Sequence, residues 1–338
     1  MPQKLSVLFG TLLLIILSSC NQKKEPVVAW EESEIVTVLG SEELDNIPFI
    51  ERVTLDKELH YDKYTLNDTY PYRETTRSFQ WNKIKQLLAT TDSLRSLHST
   101  KWAVLNNRKD SKGIPPLAKN NKINKYKDDI DQYGIERSQA IPLYLPENLS
   151  TPERYNYDGA LICITEETNG YYRVKTTNFE GEYLIPQRYV RKLENDMPFS
   201  SVIVVDRKFQ NISTYEKEGG IWYIRSMNPC TTGGNSNKYQ RPTPTGLFIL
   251  QQKAAKMWYM QDLKPNELDG YAPWASRFCC GAWIHGVPVK LPATEIIEYS
   301  RTLGTVPLSH MCIRNVSSHA EYIYDNFPQW ETLIYVIE

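Results

Sequence analysis

The apolar positions of this 338-residue chain change texture several times from one end to the other. Leu5 to Leu17 is an uncharged, mostly apolar run of 13 residues behind a single positive charge, Lys4. That is too short to span a bilayer and the right size for the core of a secretory signal. Residues 28–75 are mixed, with acidic clusters and no clear period. Phe79, Ile84, Leu87, Leu88 and Leu94 then recur at helical spacing, with Trp81 nearby and Lys83, Lys85 and Gln86 on the other face. This predicts one amphipathic helix over 76–95. Residues 106–134 are rich in Asn, Lys and Asp and carry Gly113-Ile114-Pro115-Pro116, the composition of loops and turns. From Gln139 the texture becomes β-like. Short runs at 140–144, 160–165, 171–176 and 182–185 are punctuated by turns at Asn169-Gly170 and Glu180-Gly181. A Tyr-Asp-Gly sits at 157–159. Beyond Ser201 further strands are predicted at 202–206, 212–215, 221–227, 246–250, 257–260 and 333–337. Two helices interrupt them. One covers 293–301 and ends before Gly304; the other covers 318–326, with a capping box Ser318-x-x-Glu321.

These elements predict a mainly β chain with a few helices (α+β). A mixed, helix-containing region at 28–138 precedes a small β-barrel module at 139–195 and a mostly-β domain at 201–338. No internal repeat is visible. The net charge of −1 and the lack of a dense basic run give no footprint for nucleic acid. Tyrosine is abundant, 22 residues, which suits β architecture and polar-ligand clefts without deciding either.

Leu17-Ser18-Ser19-Cys20 closes the apolar run and resembles a lipobox, the cleavage site of bacterial lipoproteins. Residues 1–19 are then a lipoprotein signal peptide, the mature chain starts at lipidated Cys20, and 20–27 is a short polar tether. Acyl chains on Cys20 would hold the protein on a membrane, at about 0.8 kcal/mol per buried CH2. Asn21, rather than Asp, matches sorting to the outer membrane of a Gram-negative bacterium, which implies a lipid-anchored periplasmic protein. Five cysteines remain: Cys163, Cys230, Cys279, Cys280 and Cys312. An odd number in an oxidising compartment leaves at least one thiol free or paired between chains. No metal or other cofactor is expected. Cys279-Cys280 are vicinal, no CxxC occurs, and His60, His98 and His319 stand alone. The vicinal pair reads as two packed small hydrophobes in preference to a redox partner for Cys312. Oligomeric state is left open.

The densest chemistry lies in Ser309-His310-Met311-Cys312-Ile313-Arg314-Asn315, with Ile284-His285-Gly286 upstream. A cysteine attacks as its thiolate, and a neighbouring imidazole or guanidinium favours that form. In an extended segment His310, Cys312 and Arg314 would project to one side. From residue types alone, a catalytic cysteine and a buried structural one are equally good readings.

The string resembles the L,D-transpeptidase (YkuD-type) signature, a His followed at a distance by Ser/Thr-His-Gly-Cys-x-Arg. Three more features match in order: the 202–215 hairpin, Thr243-Pro244-Thr245-Gly246-Leu247-Phe248, and Phe278, Gly281, Ile284, His285 and Gly286. The segment 168–190 resembles a bacterial SH3-like domain. The first resemblance implies a β-sandwich domain at 201–338, with Cys312 as nucleophile and His285 as the imidazole that takes its proton. The carbonyl of Gly286 would fix the ring, and His310 would be an accessory group. The amides of Met311 and Cys312 become oxyanion-hole candidates. Arg314 would bind a substrate carboxylate or brace the loop, and Ser309 would be a structural hydroxyl. Thr243, Thr245 and Gly246 would shape a turn.

The implied reaction is acyl transfer on peptidoglycan stem peptides. The thiol attacks the carbonyl of stem residue three and D-alanine leaves. A second amine then takes the acyl group, as a 3–3 cross-link or a protein anchor. Hydrolysis instead would make an L,D-carboxypeptidase, and loss of turnover a cell-wall-binding lipoprotein. Met311 departs from the pattern where the family has Gly. If the position needs positive φ, a side chain there costs about 1–2 kcal/mol; if Gly serves close approach, Met narrows the site.

Overall fold

The computed structural model describes residues 53–97, 100–194, 196–264 and 266–338. The signal peptide, the tether, Cys20 and His98 lie outside the described residues.

The architecture is mainly β with two α-helices among the described residues, Trp81–Ser96 and Ser317–Asn326. Strands Val-rich on both faces dictate the centre. Ser201–Asp206 reads Ser-Val-Ile-Val-Val-Asp and is buried at every position. It pairs in parallel with Thr332–Ile337 and antiparallel with Asn211–Glu218. Alternate side chains of a strand point to opposite faces. Val202 and Val204, with Leu333, Tyr335 and Ile337, enter one apolar cluster. Ile203 and Val205, with Ile334 and Val336, enter another. A strand buried on both faces must be apolar throughout, which is why no polar alternation marks it.

Each face has its own helix. Ile84, Leu87, Leu88 and Leu94 of Trp81–Ser96 fill the first cluster. Ile323 of Ser317–Asn326 fills the second, with Phe327 behind it. The first helix starts at Trp81, later than its periodicity predicts, because Thr75–Ser78 pairs with Thr69–Tyr72 as a hairpin. Expected as a sandwich, the sheet is instead one hydrogen-bonded surface of eleven strands. It runs from Gly246–Ile249 through Ser201–Asp206 and Ile221–Thr231 to Ala282–His285, Leu268–Cys279 and Gln252–Met260. It curls until its ends meet over the second cluster, where Phe248 and Phe278 touch edge to face, centroids 5.5 Å apart.

A second sheet of five antiparallel strands has the order Glu182–Pro186, Tyr171–Thr176, Leu161–Thr168, Lys101–Leu105, Val190–Lys192. It is not confined to 139–195: Lys101–Leu105 lies inside it, paired on both sides. The predicted run at 140–144 forms strand Ala140–Leu143 and pairs with Arg154–Tyr157 in a separate ladder. The 157–159 motif joins this region to the large sheet. Asp158 is fully buried and accepts from Asn107 N (2.8 Å), Arg277 Nη1 (2.6 Å), Gln251 Nε2 (3.1 Å) and Cys280 N (3.0 Å). Gly159 has φ +87°, and a Cβ there would stand 1.8 Å from the Phe278 carbonyl oxygen. Its own carbonyl accepts from Ile249 N at 3.0 Å.

The predicted helix at 293–301 does not form; the segment is irregular. Its backbone is drawn to the N-terminus of Ser317–Asn326 instead. Ser317 N donates to Glu298 O (2.9 Å), Ser317 Oγ to Ile297 O (2.6 Å) and Ser318 N to the Glu298 carboxylate (3.1 Å). Ile296, Ile297 and Tyr299 stay exposed, so the apolar spacing meets no core. The capping box is also unmade. Glu298 satisfies the first-turn donors of the helix from outside, a carboxylate where the helix dipole favours one, and Ser318 Oγ turns to it and to Tyr61.

Candidate active site

A cleft of about 650 Å³ opens on the large sheet, between the 257–263 hairpin and the irregular 300–303 segment. Cys312, His285, His310, Ser309 and Arg314 all line it. Strand order explains the meeting. Ala282–His285 and Ile313–Asn315 are adjacent parallel strands, with Ile284 opposite Ile313 and His285 opposite Arg314. This register sets His285 beside Arg314, and so close to the 309–312 loop that leads into that strand, despite the long connection.

His285 is buried, and its Nδ1 lies 2.6 Å from the carbonyl oxygen of Gly286. A carbonyl only accepts, so Nδ1 carries the proton and Nε2 is left with its lone pair. Gly286 is required by close approach: a Cβ would come within 2.6 Å of Ser317 Oγ and 2.9 Å of Pro273 Cγ. Burial lowers the His285 pKa to about 4, with Arg314 adding to the fall and the Gly286 bond opposing it. The Cys312 thiol is half-buried and donates to Gly281 O at 3.6 Å. Burial raises its pKa to about 11, against a lowering by the Trp283 amide and by Arg314. The pair therefore rests as neutral thiol and neutral imidazole. Arg314 is half-buried, has no carboxylate within 4.0 Å among the described residues, and is held below its ordinary range by burial. It is a cation facing the cleft with room for an anion.

His310 is not beside the thiol in an extended strand. Residues 310–312 form a bend and the strand starts only at Ile313. The His310 ring sits at the cleft rim, its Nε2 3.5 Å from Asp262 Oδ2. Ser309 is buried and its hydroxyl donates to the Cys312 carbonyl. Met311 is absent from the residues with positive φ, so the change from Gly introduces no left-handed strain. Its side chain packs against the core cluster beneath the loop and does not line the cleft. The vicinal Cys279 and Cys280 are buried with sulfurs 3.6 Å apart, and all five described cysteines are free. Burial pushes Cys279 well above the ordinary thiol range. His319 is a packed core residue, Nε2 2.8 Å from Ser226 Oγ, and His60 is exposed beside Glu58 and Glu216. Among the described residues no group of three or more His, Cys, Asp or Glu could hold a metal.

Sequence reasoning missed Thr243, read only as part of a turn. Its buried hydroxyl donates to Met311 O at 2.7 Å and accepts from Gly233 N at 2.8 Å, tying the loop to the core. It also missed Asp262 and Lys290 in the cleft wall. Neither stands in a motif, and only the fold brings them there.

No curated protein matches the chain. Among solved structures, 32 chains match. A fused zinc-dependent amidase/peptidase/peptidoglycan-binding-domain protein from Clostridium acetobutylicum matches with 22% identity and TM-score 0.30 over 40% of this chain; about half of that relative, 51%, is spanned. An L,D-transpeptidase from Mycobacterium smegmatis matches at 16% identity and TM-score 0.33, over 52% of this chain and 80% of its own. L,D-transpeptidase 3 from Mycobacterium tuberculosis matches at 18% identity and TM-score 0.31, over 46% and 74%. In the scan of family models, residues 200–336, the stretch that holds the cleft and every residue lining it, match the YkuD family, the L,D-transpeptidase catalytic domain.

Proposed function

We propose that the chain is a peptidoglycan L,D-transpeptidase working by cysteine acyl transfer on stem peptides. The observation that carries this is the His285 ring, its Nδ1 2.6 Å from Gly286 O, in one cleft with the Cys312 thiol. With both groups neutral at rest, His285 Nε2 takes the thiol proton as sulfur attacks the carbonyl of stem residue three. The imidazolium so formed is buried and short-lived, and it gives the proton to the departing D-alanine amine. A thioester on Cys312 remains. Arg314 favours the developing negative charge on sulfur and is placed for a substrate carboxylate. The amides of Met311 and Cys312 donate to no carbonyl among the described residues and are free for the tetrahedral oxyanion. An incoming amine then loses its proton to His285 and takes the acyl group.

The test is intact-mass analysis of soluble protein lacking the signal and Cys20, mixed with disaccharide-tetrapeptide. An adduct short of one D-alanine, absent from Cys312→Ala, is expected. The product identifies the acceptor: a stem amine, a protein lysine or water. No adduct and no D-alanine release from folded, reduced protein would instead favour a binding lipoprotein. We further propose lipidation at Cys20, outer-membrane attachment facing the periplasm, and an SH3-like role for the five-stranded sheet. Acyl-chain labelling that survives Cys20→Ala would refute the anchor.

A further inference from the structure

The loop that presents Cys312 is held from below at every carbonyl. Leu308 O accepts from Gln240 Nε2 (2.9 Å), Ser309 O from Gly234 N (2.9 Å), His310 O from Arg241 N (2.8 Å), Met311 O from Thr243 Oγ1 (2.7 Å), and Cys312 O from Ser309 Oγ. The consequence follows from peptide geometry. In a trans peptide the carbonyl and the next amide point in opposite directions. Drawing His310 O and Met311 O down onto the 241–243 segment turns the amides of Met311 and Cys312 away from it, toward the cleft.

Arg241 is itself gripped from elsewhere in the chain. Its Nη2 lies 2.8 Å from Asp128 Oδ2, its Nε 3.1 Å from Glu136 Oε1, and its guanidinium 3.6 Å from the Tyr126 ring centroid. Lys125 Nζ donates to Asn235 O at 3.1 Å in the same segment. Tyr126, Asp128 and Glu136 belong to a small hairpin region around Lys122–Ile123 and Asp129–Ile130, far outside the matched domain. Two carboxylates and a ring around one half-buried guanidinium fix its position far more tightly than a solvated surface pair would.

We infer that this hairpin, acting through Arg241, is a positioning clamp that sets the orientation of the Met311 amide as an oxyanion donor for Cys312. The inference rests on the acyl-transfer reading above. Arg241 touches no reacting atom; it acts through its own amide on His310 O.

The full chain would be compared as wild type, Asp128→Asn/Glu136→Gln, Arg241→Lys and Arg241→Ala. Two rates are measured on each. Alkylation of Cys312 by iodoacetamide has no oxyanion, whereas acylation by p-nitrophenyl acetate passes through one. The double variant and Arg241→Ala should acylate about 10- to 100-fold more slowly, part of the loss seen when an oxyanion donor is removed outright. Arg241→Lys should recover part of the rate, and alkylation should stay within about twofold throughout. Unchanged acylation in the double variant overturns the clamp, and so does an equal fall in both rates. If Arg241→Ala does not fold, the double variant decides alone. Wild type acylated by the ester but never by disaccharide-tetrapeptide would sink the substrate reading and leave the clamp standing.

Discussion

The resting charge state of the Cys312–His285 pair can be tested by titrating one reaction. Burial holds the thiol at about 11 and the imidazole at about 4. Between those values both are neutral, and there is no imidazolium to keep a thiolate in place. At pH 7 a thiol at about 11 is ionised to ~10⁻⁴, against ~10⁻² for one at its ordinary 9.0. The perturbation is pH itself, with Cys312→Ala as background for the half-buried Cys163. The assay is iodoacetamide alkylation followed by intact mass. The logarithm of the rate should climb with unit slope from about pH 6 to about pH 9.5 without levelling. Arg314→Ala should lower the whole line, because Arg314 favours the thiolate. His285→Ala should shift it by less than about threefold at pH 7 while abolishing acyl transfer, because in the proposed mechanism the imidazole serves as a base and not as a counter-ion. A plateau between about pH 5 and pH 8 would refute this reasoning: it would mean that Coulomb attraction within the pair outweighs desolvation.

Two buried histidines make the fold acid-sensitive. His285 and His319 titrate near 4 and 3 in the folded chain against an ordinary 6.5. Both are neutral when folded, so the unfolded state binds the extra protons as pH falls below 6.5. The cost is about 3 kcal/mol for His285 and about 5 kcal/mol for His319, the loss accumulating between pH 6.5 and the folded value. His319→Gln should flatten the urea-unfolding midpoint against pH in that window, and an unchanged slope would contradict it. Asp158→Ala leaves Arg277 buried with its carboxylate gone and should destabilise by about 3–5 kcal/mol in urea, with near-neutrality as the refuting result. Met311→Gly relieves no left-handed strain and loses packing, so it should lower the melting temperature. A rise would show that the position favours glycine after all.

The strand runs were legible because burial on both faces leaves an apolar signature as plain as alternation. The strand predicted at 202–206 is found as Ser201–Asp206, buried at every position, and the alternating Tyr171–Thr176 begins and ends where the sequence predicts. The 309–314 string was legible as one cluster because its residues are adjacent in sequence, and the fold brings His285 into the same cleft through the parallel pairing of its strand with Ile313–Asn315. What failed did so for tertiary reasons. Residues 293–301 have helical spacing, but their carbonyls serve the end of another helix, and spacing cannot register a hydrogen bond to residue 317. Ser318 and Glu321 have the capping-box pattern, but Glu298 reaches those donors first. His310 and Cys312 were expected on one side of a strand that begins only at Ile313, three residues too late. Met311 was the most visible departure, yet the fold absorbs it by turning the side chain into the core.

Of the region that sequence reading could not interpret, 28–138, the part described from residue 53 onward is partly inseparable from the large sheet. Without helix Trp81–Ser96, the face carrying Val202, Val204, Leu333 and Tyr335 would meet water. Without Asp128 and Glu136, Arg241 would lose both its carboxylate partners, and with them the tie that fixes its amide on His310 O. None of these contributions has a motif, because each is made by common residue types whose meaning comes from what they meet. The boundary at residue 200 is therefore one of family resemblance rather than of physical independence: a chain cut there would keep Cys312, His285 and Arg314 and lose both a cover for its core and one of the grips on the 308–312 loop.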